Sequence, residues 1–343
     1  MPLSARKDAL RRFAEDALRE PGLIIEPASA DASFRSYWRA TSRAGARIVM
    51  DAPPDKENIE PWLDIGARLQ RAGLHTPQVY AVDRTQGFVL MEDLGARAYL
   101  SALNATTADA LYADALDALA RMQTRADPAG LPVFDAALLA MELDLMPEWF
   151  LRRHLNYAMD NDDRDVIEHA FRVLIDTALQ QPQTFVHRDY HSRNLLVIER
   201  GADGAHANPG IIDFQDAVLG PLVYDVVSLL RDCYIAWDAE RIDAWLAAYC
   251  QRLRHAHPAI DSAHLRRWFD LTGLQRHIKV LGIFCRLWYR DGKPQYLRDL
   301  PLVWRYTISV ARAYRELAPL ADLLERALGE RDIAQPRKTC CAR

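Results

Sequence analysis

Short apolar runs separated by turn-forming residues dominate the first 95 positions of the chain. Apolar residues at helical spacing before Pro21-Gly22, and again over residues 58–74, predict two helices, the second with Gly73 near its C-terminal end. The remaining runs are short and bounded by turns, which is typical of strands. These strands are expected at residues 23–27, 34–40, 46–52, 77–83 and 87–95. The pattern therefore predicts a small strand-rich lobe with an inserted helix.

After Gly95 the spacing of apolar positions becomes mainly helical. Helices are expected over residues 106–126, 135–155, 163–181, 221–236, 238–254, 261–288 and 294–316. Three short apolar runs interrupt this pattern, namely TFVH (184–187), NLLVIE (194–199) and GIIDF (210–214). The last two runs are joined by residues 200–210, whose turn-forming composition predicts a hairpin connection.

Composition narrows the class of protein. A chain of 343 residues is long enough for two domains or lobes. The hydrophobic and charged fractions are ordinary for a globular protein, and a net charge of −4 gives no general attraction to nucleic acid. Five cysteines without a C-x-x-C pair, a charged N-terminus and the lack of a long uncharged apolar run favour a reduced, cytoplasmic protein without a membrane span.

The stretch TFVHRDYHSRNLLVIE, residues 184–199, carries the candidate chemistry. Asp189 and Asn194 have the spacing H-R-D-x-x-x-x-N of a kinase catalytic loop, in which the Asp accepts the proton of the substrate hydroxyl and the Asn binds magnesium. A second metal ligand should follow on a nearby strand, and Asp213 occurs nineteen residues later, across the predicted hairpin. Asp213-Phe214 matches the start of a kinase D-F-G, with Gln215 in place of Gly.

Two other interpretations of this stretch remain open. His187, Asp189 and His191 alternate, so on a strand they would share one face and could bind zinc. That hypothesis leaves Asn194 and Asp213 unexplained. The same polar residues could also only cap and brace loops, which for His191 alone is as reasonable as a chemical role.

Three segments resemble the aminoglycoside-phosphotransferase superfamily, whose members share a eukaryotic-kinase-like fold. They are FVHRDYHSRNLLV, IIDFQDAVLGPLVYDVVSLLRDCYIAW and LQRHIKVLGIFCRLWYRDGKPQYL. They look closer still to a branch of bacterial kinases that phosphorylate the anomeric hydroxyl of N-acetylmuramic acid and N-acetylglucosamine. The resemblance implies an α+β, protein-kinase-like bilobal fold, with a strand-rich N-lobe (1–91), a hinge (92–95) and a mostly helical C-lobe (96–343).

The same resemblance implies roles for particular residues. Asp189 would be the catalytic base, with Asn194 and Asp213 as magnesium ligands and ATP as co-substrate. His187 would give structural support, and Asp225 would brace the catalytic loop from the following helix. Met91, Glu92, Asp93 and Leu94 would offer backbone groups and an apolar wall to adenine. The segment DASFRSYWRA would cover the phosphates and, since it lacks glycine, would rely on Ser33 and backbone N–H groups.

One departure from the kinase pattern concerns the lysine that holds the α- and β-phosphates from the third strand. The matching strand here reads RIVMDAPP, with Met50 or Asp51 at that position. We favour Lys56 as the replacement, with Glu57 or Glu60 as its partner. Other sources of the charge would be Arg35, Arg39 and Arg47. The gap also admits a nucleotide-binding pseudokinase, although such a protein would have no chemical need for Asp189, Asn194 and Asp213 together.

Charge also bears on the substrate. Residues 221–343 hold 20 Lys and Arg against 14 Asp and Glu, which weighs against a polycationic aminoglycoside. The lactyl carboxylate of N-acetylmuramate would suit an arginine. Candidate substrate-binding residues are Arg231, Asp232, Arg276 and His277. We therefore expect a monomeric, Mg²⁺- and ATP-dependent sugar 1-kinase of cell-wall sugar recycling, with small-molecule partners and neither nucleic acid nor membrane. A phosphotransferase for aminoglycosides or another small alcohol is the alternative.

Overall fold

The computed structural model describes residues 3–30, 34–198, 208–258 and 260–336. Ser33 and most of the predicted hairpin connection at 200–210 lie outside the described residues. The helices are α1 (Leu3–Leu18), α2 (Glu60–Arg71), α3 (Tyr99–Ala102), α4 (Ala108–Arg125), α5 (Ala136–Leu143), α6 (Asn161–Leu179), α7 (Tyr224–Leu230), α8 (Ala239–Leu253), α9 (Ser262–Tyr289), α10 (Leu300–Ala313) and α11 (Ala318–Leu328). The strands are β1 (Ile24–Ala30), β2 (Ser36–Ser42), β3 (Gly45–Asp51), β4 (Val79–Asp83), β5 (Phe88–Glu92), β6 (Gln183–Val186), β7 (Leu195–Leu196), β8 (Gly210–Ile211) and β9 (Val218–Pro221).

The chain forms two compact units. The first unit combines Met1–Thr107 with Arg193–Asp216, and the second combines Ala108–Ser192 with Ala217–Arg343. The catalytic-loop motif is therefore divided along the chain between Ser192 and Arg193. The lobe and hinge boundaries at 1–91, 92–95 and 96–343 stay a prediction.

A five-stranded antiparallel sheet forms most of the first unit, in the order β1-β2-β3-β5-β4. The strands occur where the apolar runs predict them, within a few residues. Antiparallel pairing sets Tyr37 opposite Met50 and Ile48 opposite Met91. Neighbouring residues on a strand point to opposite faces. Val49 and Leu90 accordingly lie on the other face, where they are buried against Leu10 of α1.

The predicted hairpin near the metal-ligand candidates is present as β7 and β8. Leu195 pairs with Ile211 and Leu196 with Gly210 in antiparallel register. The next residues are also joined, since the amide of Ile212 donates to the carbonyl of Asn194 at 3.1 Å. A Cβ at Gly210 would lie 2.9 Å from the Ile198 side chain and 3.0 Å from that of Leu94, so a larger residue there would require these side chains to move.

Helix α9 runs through the core of the second unit. Every residue from Phe269 to Gly282 is buried, which is the pattern of a helix covered on all sides. It packs against α6, α10 and a π-helical segment at Met146–His154. Neither α9 nor another helix in the described part of the chain is both long and apolar enough to cross a membrane.

Two predicted helices are interrupted in the structure. The predicted helix at 135–155 is divided into α5 and the π-helical segment, which has Pro147 in its first turn. The predicted helix at 294–316 is likewise divided into a 3₁₀ turn (Pro294–Asp299) and α10, which begins with Leu300-Pro301. Proline lacks an N–H and its ring clashes with the preceding turn, so it belongs at the start of a helix. Helix α11 and strand β9 were not predicted.

Candidate active site

A cavity of about 470 Å³ lies on the face of the first unit's sheet opposite α1. Tyr37 and Arg39 of β2 and Ile48 of β3 contribute one wall. Further lining residues are Ala28, Trp62, Pro77, Met91, Glu92, Asp93, Leu94, Gly95, Ala96, Ala98, Arg193, Asn194, Leu196, Ile212, Asp213 and Phe214. The predicted adenine-binding residues Met91, Glu92 and Leu94 and both predicted magnesium ligands thus line the same cavity.

The acidic residues at the end of β5, Glu92 and Asp93, are already bound by other side chains. Arg39 donates to both oxygens of Asp93 at 2.6 and 3.2 Å, and His75 Nε2 lies 3.1 Å from a Glu92 oxygen. The His75 hydrogen bond lowers the pKa of Glu92. Burial alone would raise the pKa of Asp93, but Arg39 outweighs it and the pKa falls. Both carboxylates are therefore ionised and paired, so this segment presents backbone groups and apolar side chains to a ligand.

Asn194 and Asp213 come together at the base of the β7–β8 hairpin. The Asn194 amide donates to Asp213 Oδ2 at 3.2 Å, and Gln215, which replaces the glycine of D-F-G, donates to Oδ1 at 3.0 Å. Asp213 has φ of 63°, a left-handed conformation that is uncommon outside glycine and often found at functional sites. A carboxylate and an amide oxygen are ligands that suit magnesium, so the two side chains fit this ion.

The positively charged side chain beside Asp213 is Arg35, whereas Lys56 was favoured from the sequence. The side chain of Arg35 is 9% exposed, and its Nη2 lies 3.8 Å from Asp213 Oδ1. Lys56 is exposed, with Nζ 5.0 Å from the ring centre of Phe34. It lines a different surface cavity together with Glu57 and other residues after β3. The phosphate-binding role predicted for Lys56 stays a prediction.

The catalytic loop belongs to the second unit up to Ser192, and aspartates of the α7 region hold it at two points. Asp225 accepts hydrogen bonds from the amides of His187 and Arg188 at 2.7 and 3.0 Å. Asp232 accepts from the amide and hydroxyl of Ser192 at 2.9 and 2.5 Å. These bonds allow Arg188 to keep its left-handed φ of 75°. The geometry matches the bracing role expected for Asp225.

Asp189 faces a buried arginine of α9. Arg276 Nη2 lies 3.7 Å from Asp189 Oδ1, and Arg276 Nη1 donates to the carbonyl of Arg188 at 2.9 Å. Burial would raise the pKa of Asp189, but the charges of Arg276 and Lys279 outweigh it and lower the pKa to about 2. The Asp189 side chain remains 43% exposed, so an ionised carboxylate is accessible to a substrate hydroxyl.

Glu142 of α5 belongs to the same group of charged side chains as Arg188 and Lys279. It was not identified from the sequence. It is 4% exposed and accepts from Arg188 at 2.5 Å and from Lys279 at 2.7 Å. Lys279 also donates to the hydroxyl of Tyr224 at 3.2 Å. Glu142 lies 46 and 137 residues from its two partners along the chain, and no local motif links them.

The other predicted substrate-binding residues are buried among protein partners. Arg231 forms an ion pair with Asp270 at 2.5 Å. His277 is fully buried, its Nε2 lies 3.0 Å from the carbonyl of Arg231, and its ring stacks on Tyr306. Asp232 binds the loop as described above. Substrate contacts by these residues and by Arg276 stay predictions.

Zinc binding receives no support. No group of three or more His, Cys, Asp or Glu side chains is arranged to hold a metal ion within residues 3–30, 34–198, 208–258 and 260–336. His187 is fully buried, and its Nδ1 accepts a hydrogen bond from the amide of Asp189 at 3.3 Å. The ring therefore supports the loop.

Comparison with known proteins identifies the family. The family model of the phosphotransferase enzymes matches residues 24–262. The chain belongs to this phosphotransferase enzyme family. The resemblance to aminoglycoside phosphotransferases found in the sequence is thereby confirmed.

Individual relatives cover nearly the whole chain. An N-acetylmuramate/N-acetylglucosamine kinase from Pseudomonas putida is 41% identical over 317 residues, 91% of each chain. A protein of the same name from Pseudomonas aeruginosa is 42% identical over 307 residues, 89% of this chain and 88% of that one. The structure of the ADP-bound aminoglycoside phosphotransferase APH(2'')-Ib has a TM-score of 0.56 and 14% identity, and covers 88% of this chain and 98% of that one. The kinase-like α+β fold is therefore confirmed.

Proposed function

We propose that the protein is an ATP- and Mg²⁺-dependent kinase that phosphorylates the anomeric hydroxyl of N-acetylmuramic acid and N-acetylglucosamine. The observation that carries the proposal is the identity above 40%, over about nine tenths of the chain, to two proteins named for these substrates. The product is a sugar 1-phosphate. We place the enzyme in the cytoplasm, as a monomer, in the recycling of cell-wall sugars.

Asp189 is the proposed catalytic base. Its carboxylate is ionised and exposed, so it can orient the sugar hydroxyl and accept its proton as the phosphoryl group transfers. Arg276 keeps the carboxylate in place from one side, and Asp225 fixes the backbone of His187 and Arg188. A reacting group that is held in position before the reaction lowers the entropic part of the barrier.

The first unit binds the nucleotide in this proposal. Met91 and Leu94 offer apolar contact to adenine in the 470 Å³ cavity. The amide of Glu92 donates to the carbonyl of Gln78, so the backbone contacts to adenine come from other groups of this segment. Asn194 and Asp213 would hold a magnesium ion, which would supply positive charge to the phosphate oxygens.

Steady-state kinetics test the proposal. ADP release is measured with N-acetylmuramic acid, N-acetylglucosamine, kanamycin and choline as acceptors. We expect kcat/KM for the two amino sugars to exceed that for kanamycin and choline by at least about 100-fold. The reason is that the site would position the anomeric hydroxyl of an amino sugar for attack on the phosphate, but not the hydroxyls of the other two acceptors. In the Asp189→Asn variant we expect kcat to fall by at least about 100-fold, the usual range for loss of a general base.

Calorimetric binding of ADP to Asp189→Asn is the control and should match the wild type within a factor of two. Turnover with kanamycin or choline but not with the amino sugars would replace the proposed substrate. Nucleotide binding without turnover on any acceptor would instead favour a pseudokinase.

A further inference from the structure

The first unit lacks a lysine where a kinase needs one to hold the nucleotide phosphates. Ile48 of β3 lines the cavity. Side chains alternate along a strand, so every second residue of β3 lies on the same face as Ile48. The matching position further along the strand is Met50, which is fully buried and apolar. Asp51 points to the opposite face and is bound by Arg6 of α1 at 2.5 Å. The third strand therefore offers no positive charge to the cavity.

The other cations considered from the sequence have different partners or surroundings. Arg39 is bound to Asp93 through two hydrogen bonds. Arg47 lies over the ring of Tyr80, 4.8 Å from its centre. Lys56 is exposed over Phe34 and lines a separate surface cavity.

Arg35 lies close to the C-terminal end of β3 and to Asp213. Residue 36 pairs with Asp51 and Tyr37 pairs with Met50, so Arg35 is next to the end of β3 at which the lysine is absent. It directly precedes β2, two residues before Tyr37, which lines the cavity. Its side chain is 9% exposed, and its guanidinium lies 3.8 Å from the carboxylate of Asp213.

We propose that Arg35 supplies the charge that holds the nucleotide phosphates, in place of the third-strand lysine of other kinases. This inference rests on the proposed function, since it requires a nucleoside di- or triphosphate as ligand. The metal ion of kinases contacts phosphate oxygens, so a cation beside the proposed metal ligand Asp213 is placed for the same phosphates. A guanidinium also matches phosphate with two parallel hydrogen bonds, which an ammonium cannot do.

Nucleotide binding, measured by calorimetry without any acceptor sugar, tests this role. The ligands are ADP with magnesium and adenosine, which lacks phosphate. We expect Arg35→Met to weaken ADP binding by at least about 10-fold, as for loss of a hydrogen bond to a charged group. Adenosine binding should stay within a factor of two, which also shows that the cavity is intact. Arg35→Lys should recover part of the ADP affinity, because it keeps the charge but not the paired geometry.

Two further variants make the comparison specific. Arg43→Met removes an exposed arginine from the β2–β3 turn, where the side chain is 93% exposed, and should leave ADP binding unchanged. Lys56→Met tests the cation favoured from the sequence. The inference is overturned if Arg35→Met binds ADP like the wild type, if it loses adenosine and ADP equally, or if Lys56→Met shows the loss instead. A wild-type protein that binds no ADP would overturn the proposed function, and the inference with it.

Discussion

Arg276 links two parts of the catalytic loop. One nitrogen faces the carboxylate of Asp189 and another holds the carbonyl of Arg188, and the side chain is 4% exposed. We propose that Arg276 acts through Asp189, by fixing its position and keeping it ionised. Substrate recognition was the role expected from the sequence, and the structure places the guanidinium beside the proposed base.

Replacing Arg276 should therefore affect turnover more than nucleotide binding. We expect Arg276→Gln to lower kcat by about 10- to 100-fold, because a small misplacement of a reacting group has effects of that order. Arg276→Lys should recover part of kcat, since it keeps the charge. Calorimetric affinity for ADP should change less than twofold in both variants. A raised KM for the sugar with unchanged kcat would return Arg276 to the substrate-binding role.

His277 provides a pH-dependent contribution to stability. It is fully buried, and its Nε2–H donates to the carbonyl of Arg231. Burial lowers the pKa of His277 from 6.5 to about 3. Below pH 6.5 the His277 side chain binds a proton in the unfolded chain but not in the folded one. The contribution of His277 to the free energy of unfolding is therefore fully present above this pH and is lost as the pH falls.

The effect of His277 can be isolated by urea unfolding at pH 7 and pH 5. Linkage gives about 2 kcal/mol of wild-type stability lost between these pH values through this one group. We expect His277→Gln, which keeps a donor for the Arg231 carbonyl, to reduce the loss by about that amount. His264→Gln removes an exposed histidine of the same helix, which forms an ion pair with the exposed Asp261, and should leave most of the loss in place. An equal loss in wild type and His277→Gln would show that His277 is protonated in the folded protein.

Local motifs made part of the site predictable. The candidates Asp189, Asn194 and Asp213 follow from the spacing that kinase chemistry requires over a short stretch of chain, and their roles stay predictions. The structure shows that Asn194 lies beside Asp213, and the hairpin that joins them followed from turn-forming residues. Glu142 and the partners of Arg231 were not found. Their contacts depend on which faces of distant helices meet, and a single sequence gives no distance between helices.

Helices α5 and α9 are joined by the charged cluster around Glu142. Arg188 and Lys279 both donate to this one carboxylate, and Gln275 donates to its other oxygen at 3.4 Å. Burial would raise the pKa of Glu142, but the charge of Lys279 and then that of Arg188 outweigh it and the pKa is lowered. The carboxylate is therefore ionised in the folded protein, and removing its charge takes the carboxylate partner from the buried Lys279 and from the partly buried Arg188.

Stability measurements on Glu142→Gln test this connection. We expect a loss of about 3 kcal/mol in the free energy of unfolding, the lower part of the range for breaking a buried ion pair. Glu148→Gln is the control, because Glu148 binds the more exposed Arg152 and Arg153 and should contribute less than about 1 kcal/mol. Urea unfolding at neutral pH gives both values. Similar losses in the two variants would mean that the cluster adds no stability beyond that of a surface pair.

The regular elements were predicted with different success. Strands β1 to β5 and helix α9 were found because each has a continuous apolar pattern. The interruption of a predicted helix before Pro147 was missed because the apolar pattern continues through it, although the proline itself was a signal. Strand β9 was missed because it is short and lies inside an apolar run that was assigned partly to a helix.

The residues of the proposed chemistry are divided between the two units. Asp189 belongs to the second unit, and Asn194 and Asp213 belong to the first. Nucleotide that binds only to the folded protein should stabilise it. At 100 times the dissociation constant, ADP with magnesium should add about 2.7 kcal/mol to the free energy of unfolding.

Chelation of magnesium and the variant Asp213→Asn should each reduce the rise in Tm that ADP produces, because both remove the metal's share of binding. The rise with adenosine is the control and should be the same in all three samples. An undiminished rise with ADP in Asp213→Asn would place the metal elsewhere.

The position of the transferred phosphate distinguishes an anomeric kinase from other members of the family. Phosphorus NMR of the product formed from ATP, magnesium and N-acetylmuramic acid, with N-acetylglucosamine in parallel, reports this position directly. The proposed function predicts a single sugar phosphate whose phosphorus is coupled to the anomeric proton. Phosphate on the C6 hydroxyl, or no sugar phosphate from a protein that binds ATP, would contradict it.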